Sequence, residues 1–388
     1  MYKRIKYIFL SLFITYSVHN GYCQLVSIEK NYPNGLLKEK YFCNISENDS
    51  IKEGDYSYYF DSGRLMQEGF FKHNKPDSSW ITYYPNNARK SLFNYKNGKK
   101  EGEFKFWNND GSLYQKGYYV SDKLEGKLTT FLSNGKVDSE SEYKNGLLNG
   151  ISTIYNSTGG KKLEANYIDD TLNGKWYSYY DTGELNYKGY KVKGKYQDTL
   201  YTFYKNGKIQ RIAFYKNGSI DGLMKGFYPN GEKMNEINYQ AGKMNGESKE
   251  YHQNGALSDK GNYLNDQKEG EWTSYYPNGN THSIGAFHKG LFEGLWVIYY
   301  QSGVVKQKGN YQKGNAKGKW QYYNEKGCIL LTGEYIENLY QGVWTTFYPS
   351  GKVAGRINYV NGVKTGPVWI YDESGKVYHK LDLDKPKK

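Results

Sequence analysis

A glycine recurs at a fixed spacing of 24 residues through most of this chain of 388 residues. It opens each repeat and is counted here as position 0. It stands at Gly54, Gly102, Gly126, Gly150, Gly174, Gly222, Gly246, Gly270, Gly294, Gly318, Gly342 and Gly366, with Ser78 and Asp198 in the two gaps. A second glycine follows nine residues later in every repeat except one, where Asn87 replaces it. An unbroken period of this length predicts a repeat array.

A β-strand is predicted between the two glycines. Position 5 is aromatic in all fourteen repeats, and position 2 is a large apolar residue in most of them. The aromatic residues at position 5 are Tyr59, Tyr83, Trp107, Phe131, Tyr155, Tyr179, Phe203, Phe227, Tyr251, Tyr275, Tyr299, Tyr323, Phe347 and Tyr371. Short aromatic and β-branched runs bounded by Gly and Asn favour strand over helix.

The second glycine closes a turn, as in the segment Tyr276-Pro277-Asn278-Gly279. Pro presets φ, Asn suits the next place, and Gly takes the left-handed conformation. A three-residue hairpin loop with a glycine bulge fits this segment and would place position 5 opposite position 11, which is usually aliphatic. Position 20 is Gly, Asn or Asp, which predicts a second tight turn that joins successive hairpins.

Position 15, inside the returning strand, is Gly, Ala or Ser in ten of thirteen repeats. Glycine weakens a strand, so we expect a packing reason for it. Here it leaves room for the ring of a neighbouring repeat to lie flat on the backbone.

The predicted fold is all-β: an elongated array of 24-residue β-hairpins that forms one long, twisted antiparallel meander sheet. Hydrophobic residues make up only 37% of the chain, which suits a thin core shielded by rings. The predicted organisation is a signal peptide at residues 1–23, an N-terminal cap at 24–53, fourteen repeats at 54–377 and a C-terminal tail at 378–388. Within the cap we expect an edge strand over 36–42 and a loop over 44–52.

The N-terminus has the composition of a secretory signal peptide. Its basic residues are Lys3, Arg4 and Lys6. The apolar run that follows, Tyr7 to Val18, is short for a membrane-spanning helix. Small residues at Gly21 and Cys23 predict cleavage before Gln24 and therefore export to the periplasm, the cell surface or the medium. The alternatives are an uncleaved anchor and lipidation of Cys23, although Tyr22 replaces the small residue that lipidation needs.

Two cysteines remain after cleavage, Cys43 and Cys328. They are separated by twelve repeats, on the order of 110 Å in an extended array. A disulfide needs Cα atoms within about 7 Å, so we predict that the two thiols stay unpaired within one chain.

Catalytic and metal-binding signatures are not found in the sequence. The closest histidines, His282 and His288, lack the i, i+2 spacing expected of ligands on one strand. The glycines lie in turns and not before a helix, which argues against a phosphate-binding loop. We expect a non-enzymatic protein without cofactor, metal or nucleic-acid partner. The formal net charge of +13 keeps a sheet soluble or attracts anionic lipid or polysaccharide.

Two recurring patterns carry a resemblance to a known family. One is a turn such as Tyr95-Lys96-Asn97-Gly98, and the other is Gly-x-Trp-x-x-Tyr-Tyr, as in the segment from Gly174 to Tyr180. Together they resemble the MORN repeat in its bacterial variant form. The resemblance covers residues 54–377. It implies one hairpin per repeat, no catalytic residues, and binding of protein or, in some members, membrane lipid. Some bacterial members are antitoxin components, whereas an exported chain would not meet a cytoplasmic toxin. A second, partial resemblance is to aromatic choline- and glucan-binding repeats, which are shorter.

We therefore predict an exported or envelope scaffold that binds protein partners. The alternatives are a polysaccharide-binding module that stacks sugars on aromatic rows, or binding to an anionic lipid surface. The candidate binding aromatics are Trp176, Trp272, Trp296, Trp320 and Trp344. Packing across neighbouring hairpins is the competing role for these indoles, and we favour it for most of them.

Overall fold

The computed structural model describes residues 25–45 and 50–382, and the chain divides into two compact units, with the boundary in the sequence between Leu147 and Leu148. The predicted signal peptide, Cys23 and the end of the predicted tail lie outside the described residues. Within the described part, no helix is long and apolar enough to span a membrane.

The first unit is built from antiparallel strands whose order in the sheet follows the chain, so that β1 pairs with β2 and β2 with β3. Its strands are β1 (Leu25–Asn31), β2 (Leu37–Ile45), β3 (Ser50–Tyr59), β4 (Leu65–Lys72), β5 (Lys75–Tyr83), β6 (Arg89–Lys96), β7 (Lys99–Lys100), β8 (Gly102–Trp107), β9 (Leu113–Val120), β10 (Lys123–Leu124), β11 (Gly126–Phe131) and β12 (Val137–Lys144).

The second unit has the same arrangement of antiparallel strands. Its first strand, β13, begins at Leu147, which is the last residue of the first unit. Its strands are β13 (Leu147–Tyr155), β14 (Lys161–Ile168), β15 (Thr171–Tyr179), β16 (Leu185–Val192), β17 (Lys195–Phe203), β18 (Ile209–Lys216), β19 (Ser219–Ile220), β20 (Gly222–Phe227), β21 (Lys233–Gln240), β22 (Lys243–Tyr251), β23 (Leu257–Leu264), β24 (Gln267–Tyr275), β25 (Thr281–His288), β26 (Leu291–Tyr299), β27 (Val305–Gln312), β28 (Asn315–Tyr323), β29 (Ile329–Ile336), β30 (Leu339–Phe347), β31 (Val353–Val360), β32 (Val363–Tyr371) and β33 (Val377–Asp382). The predicted all-β class, an antiparallel meander of 24-residue hairpins, is confirmed in both units.

The first turn of each repeat has the predicted geometry. The Gly279 N–H donates to the Tyr276 carbonyl at 2.8 Å, and the Tyr276 N–H donates to the Asn280 carbonyl at 2.8 Å. Gly279 has φ +86°, the left-handed value that a glycine bulge requires. Tyr275 pairs with Thr281, so position 5 does lie opposite position 11.

The second turn is a two-residue loop in which both central residues have positive φ. In the turn between β25 and β26, φ is 50° at Lys289 and 78° at Gly290, which are the values of a type I′ turn. This twist matches that of the flanking strands, so one hairpin continues directly into the next.

In most repeats the glycine at position 0 lies inside the forward strand and does not begin it, whereas β8, β11 and β20 do begin at this glycine. Strand β24 starts three residues earlier and passes through Gly270, where φ is +72° and the pairing with β23 shifts register. Position 0 is therefore a β-bulge that needs positive φ. Ser78 and Asp198 adopt the same conformation, with φ of 60° and 65°.

The segment predicted as a cap contains a hairpin of the same design. The Gly35 N–H donates to the Tyr32 carbonyl at 2.9 Å, so β1 and β2 are joined by the same first turn. The strand predicted over 36–42 is present as β2, but the prediction that it lies at an edge is wrong, because β2 pairs with β1 on one side and β3 on the other. The predicted loop is also wrong at its ends, because 44–45 and 50–52 lie in strands, while 46–49 lie outside the described residues.

Candidate functional site

In each unit, one face of the sheet carries the position 2 side chains and is called here the aromatic face. In it, Trp272 lies flat on the preceding returning strand. Its Cδ2 would stand 2.2 Å from a Cβ at Gly261, and its Nε1 donates to the Asn262 carbonyl at 3.1 Å. Only 3% of Trp272 is exposed. The expected role of the small residue at position 15, a seat for a neighbouring ring, is confirmed at Gly261, whereas the neighbouring side chain over Gly189 is Leu200.

The other indoles proposed as binding aromatics occupy related places. Trp296, Trp320 and Trp344 are buried. The Cδ2 atom of each ring would stand 2.1 Å from a Cβ on the glycine beneath it. Trp176 is half-buried between tyrosines and has the Lys191 Nζ 5.2 Å from its ring centroid. This geometry gives the four buried indoles a packing role and leaves them no free ring face for a sugar.

At two places on the aromatic face the volumes at positions 15 and 2 change in opposite directions. Where position 15 is Ala213, the facing residue is Met224, and both are buried. Where position 15 is the larger Ile237, the facing residue shrinks to Ser248, which is also buried. Close packing explains the exchange at these two places. It is not general, since two large rings, Phe93 and Phe104, stack at the same two positions of an earlier repeat.

The opposite face, called here the charged face, carries the position 14 side chains, most of which are charged, over the rings at position 5 of the next repeat. The Lys308 Nζ lies 5.7 Å from the ring centroid of Tyr323. The Glu236 carboxylate instead accepts the Tyr251 hydroxyl at 2.9 Å. Burial, and then this carboxylate, raise the pKa of Tyr251 to about 12. The pKa of Glu236 is lowered, and the hydrogen bond from Lys233 is the main cause.

A ladder of side chains joins the first turns of successive repeats. The Tyr276 hydroxyl donates to the Tyr299 carbonyl of the next repeat at 2.8 Å. The Asn254 amide donates to the Pro277 carbonyl at 2.9 Å. Sequence reasoning missed the role of position 6, although the recurring Tyr-Tyr pair at positions 5 and 6 was a signal for it.

A carboxylate stabilises the second turn. It belongs to the residue just before position 0 of the same repeat. Glu269 accepts the Lys289 N–H at 2.8 Å and lies 2.9 Å from the His288 Nδ1. The backbone N–H is the main cause of the lowered pKa of Glu269, followed by His288. His282 instead packs edge-on against Tyr276 at 4.8 Å, so the two closest histidines make different contacts.

An exposed row of aliphatic side chains lies at the second turns near the end of the second unit. Two hairpin tips present paired residues, Ile336 with Leu339 and Val360 with Val363. A Cβ at Gly362 would lie 3.3 Å from Leu339, so the two tips adjoin. Val363 is 65% exposed, Ile336 55% and Leu339 48%. These four residues are called the aliphatic edge.

Lysines occupy the same positions in the first unit. Lys72 pairs with Lys75 and Lys96 pairs with Lys99 at two adjoining tips. A Cβ at Gly98 would lie 3.3 Å from Lys75, which reproduces the contact at Gly362. These four residues are called the lysine edge. Sequence reasoning did not separate the two edges, and the signal for them was the residue type at positions 18 and 21.

Possible metal ligands and the two cysteine thiols were considered in the sequence and can be located in the fold. In the part of the chain that the structure describes, no group of three or more His, Cys, Asp or Glu is arranged to hold a metal ion. Cys43 is buried, Cys328 is half-buried, and both thiols are free. Burial raises the pKa of the Cys43 thiol.

Tandem hairpins joined by turn ladders define a class of repeat scaffold. A family model described as the MORN repeat variant matches ten segments, which together cover more than half of the chain. They are 52–73, 100–121, 124–145, 172–190, 199–217, 220–241, 244–265, 268–289, 292–313 and 340–361. The chain therefore belongs to the MORN repeat variant family. The unmatched repeats that begin at Ser78, Gly150, Gly318 and Gly366 have the same hairpin pairing.

Comparison with solved structures gives much weaker likenesses. A chain in the crystal structure of TcdB2-TccC3-Cdc42 is 10% identical, with 90% of this chain and 28% of that chain covered and a TM-score of 0.15. A chain in the Photorhabdus luminescens Tc holotoxin pore is 12% identical, with coverage of 90% and 25% and a TM-score of 0.14. The chain thus spans about a quarter of the chains it matches, and the scores support no argument about it. No curated protein sequence matches the chain.

Proposed function

We propose that this chain is a non-enzymatic scaffold that binds a protein partner through the aliphatic edge. The observation that supports this function is the replacement of paired lysines by paired aliphatic residues at tips of the same geometry. Exposed apolar groups that adjoin one another are typical of interaction surfaces. The hairpin design does not require them, because Lys96 and Lys99 occupy the same positions in the first unit.

A double substitution tests this function with little risk to the fold. Val360→Lys together with Val363→Lys recreates the lysine pair that residues 96 and 99 already form in another repeat. We expect the native chain to retain a discrete protein from envelope extract, whether or not glycans are digested first, and the variant to lose it. The matched control is Lys96→Val with Lys99→Val, which should retain the partner. Equal retention by the native chain and the Val360/Val363 variant would refute the assignment.

The lysine edge supports a second candidate function, attraction to an anionic lipid surface. Four ammonium groups at two adjoining tips concentrate positive charge at one turn edge. Such binding weakens as salt screens the charges. We expect cosedimentation with phosphatidylserine vesicles to fall steeply with salt and to disappear in the Lys96→Val/Lys99→Val variant. Salt-insensitive binding, or none, would exclude this candidate.

The polysaccharide alternative relied on the tryptophan rows. It stays a prediction, and the extract experiment also tests it. Retention of material that vanishes after glycan digestion would favour a carbohydrate ligand, held by a surface other than the buried indoles.

We also propose that the chain is exported after cleavage before Gln24. The support is the basic start followed by the apolar run over 7–18. Mass spectrometry of the N-terminal peptide from cells that express the full chain measures this directly. A peptide that begins at Gln24 in the exported fraction is expected, and an intact N-terminus would refute cleavage.

A further inference from the structure

We infer that the last strand of one copy, β33, pairs with the first strand of a second copy, β1, so that copies join end to end. Among the described residues, β33 pairs only with β32 and β1 only with β2. Each therefore has one edge with which no described strand pairs, and such an edge is a template for a further strand.

The two strands have the polarity that continues the meander. β33 occupies the place of a returning strand, since it follows the first-turn glycine Gly375. β1 occupies the place of a forward strand, since it precedes the first turn closed by Gly35. A forward strand always follows a returning strand within the array, so β1 of a second copy next to β33 repeats the internal order.

Backbone hydrogen bonds inside the array fix which groups would meet. The Glu125 N–H donates to the Tyr118 carbonyl of the preceding strand at 2.9 Å, so position 16 of a returning strand directs its backbone groups toward the next hairpin. Backbone direction alternates along a strand, so position 14 does the same. Position 14 of β33 is Lys380, whose N–H and carbonyl thus face the unpaired edge.

The register then follows from repeats already paired. Position 14 lies opposite position 3 of the next repeat, as Lys260 does with Thr273 and Glu236 with the oppositely charged Lys249. Within a hairpin, position 3 pairs with position 14, as Thr273 does with Ile284. In the first hairpin Glu29 pairs with Lys40 in the same way, so Glu29 is position 3 of β1. Lys380 would therefore meet Glu29 of the second copy.

Apolar contact accompanies this charge pair on the aromatic face. Leu381 occupies position 15 of β33 and is 50% exposed. Ile28 occupies the place of position 2 in β1, and by the rule of the array it would lie on Leu381. The aliphatic pair Ile357 and Val368 fills the same two positions one repeat earlier. The described part of β33 contains no proline, so no residue there removes a backbone donor from the edge.

Charge reversal tests both the partner and the register. Sedimentation velocity of the full chain over a range of concentrations should show reversible association. Lys380→Glu or Glu29→Lys alone should raise the concentration needed for association several-fold, because like charges then meet across the strands. An equimolar mixture of the two variants should restore association, since each end then finds an opposite charge on the other variant.

A proline variant tests the backbone pairing separately. Lys380→Pro removes the outward N–H and should abolish association, whereas Lys380→Thr keeps that donor and should retain most of it. Both lose the contact of Lys380 with the Trp369 ring at 4.4 Å, and circular dichroism melting reports whether either is misfolded. A chain that is monomeric at every concentration, single reversals that associate like the native chain, or a mixture that fails to recover would overturn the inference.

Discussion

Glycine at position 15 is set by the indole that lies on it. A Cβ added at Gly285 would stand 2.1 Å from Cδ2 of Trp296, so the ring or the backbone would have to shift to accommodate it. We expect Gly285→Ala to destabilise the protein by about 1–3 kcal/mol, the usual cost of overpacking a core. The shift of the urea midpoint measures this.

A compensating variant separates overpacking from a general sensitivity of the strand. Ala213 and Met224 show that the array accepts alanine when the facing side chain is methionine. Gly285→Ala combined with Trp296→Met should therefore be more stable than Gly285→Ala with the indole in place. If the double variant is the less stable of the two, ring contact does not explain the glycine.

Tyrosine at position 6 ties each first turn to the next repeat. Tyr276→Phe removes the hydroxyl that donates to the Tyr299 carbonyl at 2.8 Å. We expect a loss of about 1 kcal/mol, because the partly buried carbonyl loses its side-chain donor. Thermal unfolding should show a lower midpoint. Tyr378→Phe is the matched control, since Tyr378 is 80% exposed, and it should leave the midpoint unchanged.

Residue-level prediction succeeded where a side chain's own chemistry dictates the backbone and failed where the surroundings do. The first-turn glycines and the rings seated on position 15 follow from residue type. Positive φ at Ala241, Lys289 and Glu337 does not, because these residue types do not favour it. The turn imposes that conformation, and side chains 20 residues away satisfy the N–H groups of Ala241 and Lys289.

The second turn should make the stability of the fold depend on pH. The Lys289 N–H, and then His288, lower the pKa of Glu269 in the folded chain. A carboxyl with a depressed folded pKa stabilises the fold above its ordinary pKa, about 4.3, and loses that contribution as the pH falls through the folded value. We expect the melting temperature of the native chain to fall as the pH is lowered from about 5 through this range.

Glu269→Gln provides the comparison for this turn. Gln341 already accepts the Asn361 N–H at 2.9 Å in the equivalent place, so an amide can hold the turn. The variant should fold normally and show a smaller loss of melting temperature between neutral and acidic pH than the native chain. Parallel pH profiles for the two proteins would show that Glu269 does not contribute to acid sensitivity.

At the level of elements, the sequence predicted hairpins wherever the 24-residue phase was unbroken. It missed the hairpin formed by β1 and β2, because the first-turn glycine Gly35 stands 28 residues before Gly63 instead of 24. The four additional residues fall between the strands of two neighbouring hairpins. The aliphatic and lysine edges were also missed, since they depend on adjacency between turns that only the folded array creates.

At the scale of the whole molecule, each hairpin contacts its neighbours through a fixed set of positions, so stability depends on matched neighbours. Removal of residues 270–293 deletes one complete repeat and joins Glu269 to Gly294. Trp296 would then lie on Gly261, which already carries an indole. Glu269 would take the place of Glu293, which accepts the Lys313 N–H at 2.8 Å. We expect this shortened chain to fold, with strand content preserved in circular dichroism and a cooperative thermal transition.

Removal of residues 246–269 deletes the same number of residues but joins mismatched neighbours. Trp272 would then face Ile237, where the native array places the small Ser248. An indole cannot lie flat on a strand that carries a branched side chain at that point, so packing at the junction should fail. This deletion should lower the melting temperature far more than removal of 270–293. Adding Ile237→Gly should recover most of that loss, because it restores the seat for the ring. Equal stability of the two deletions would show that the pairing of ring and glycine does not decide which repeats can be neighbours.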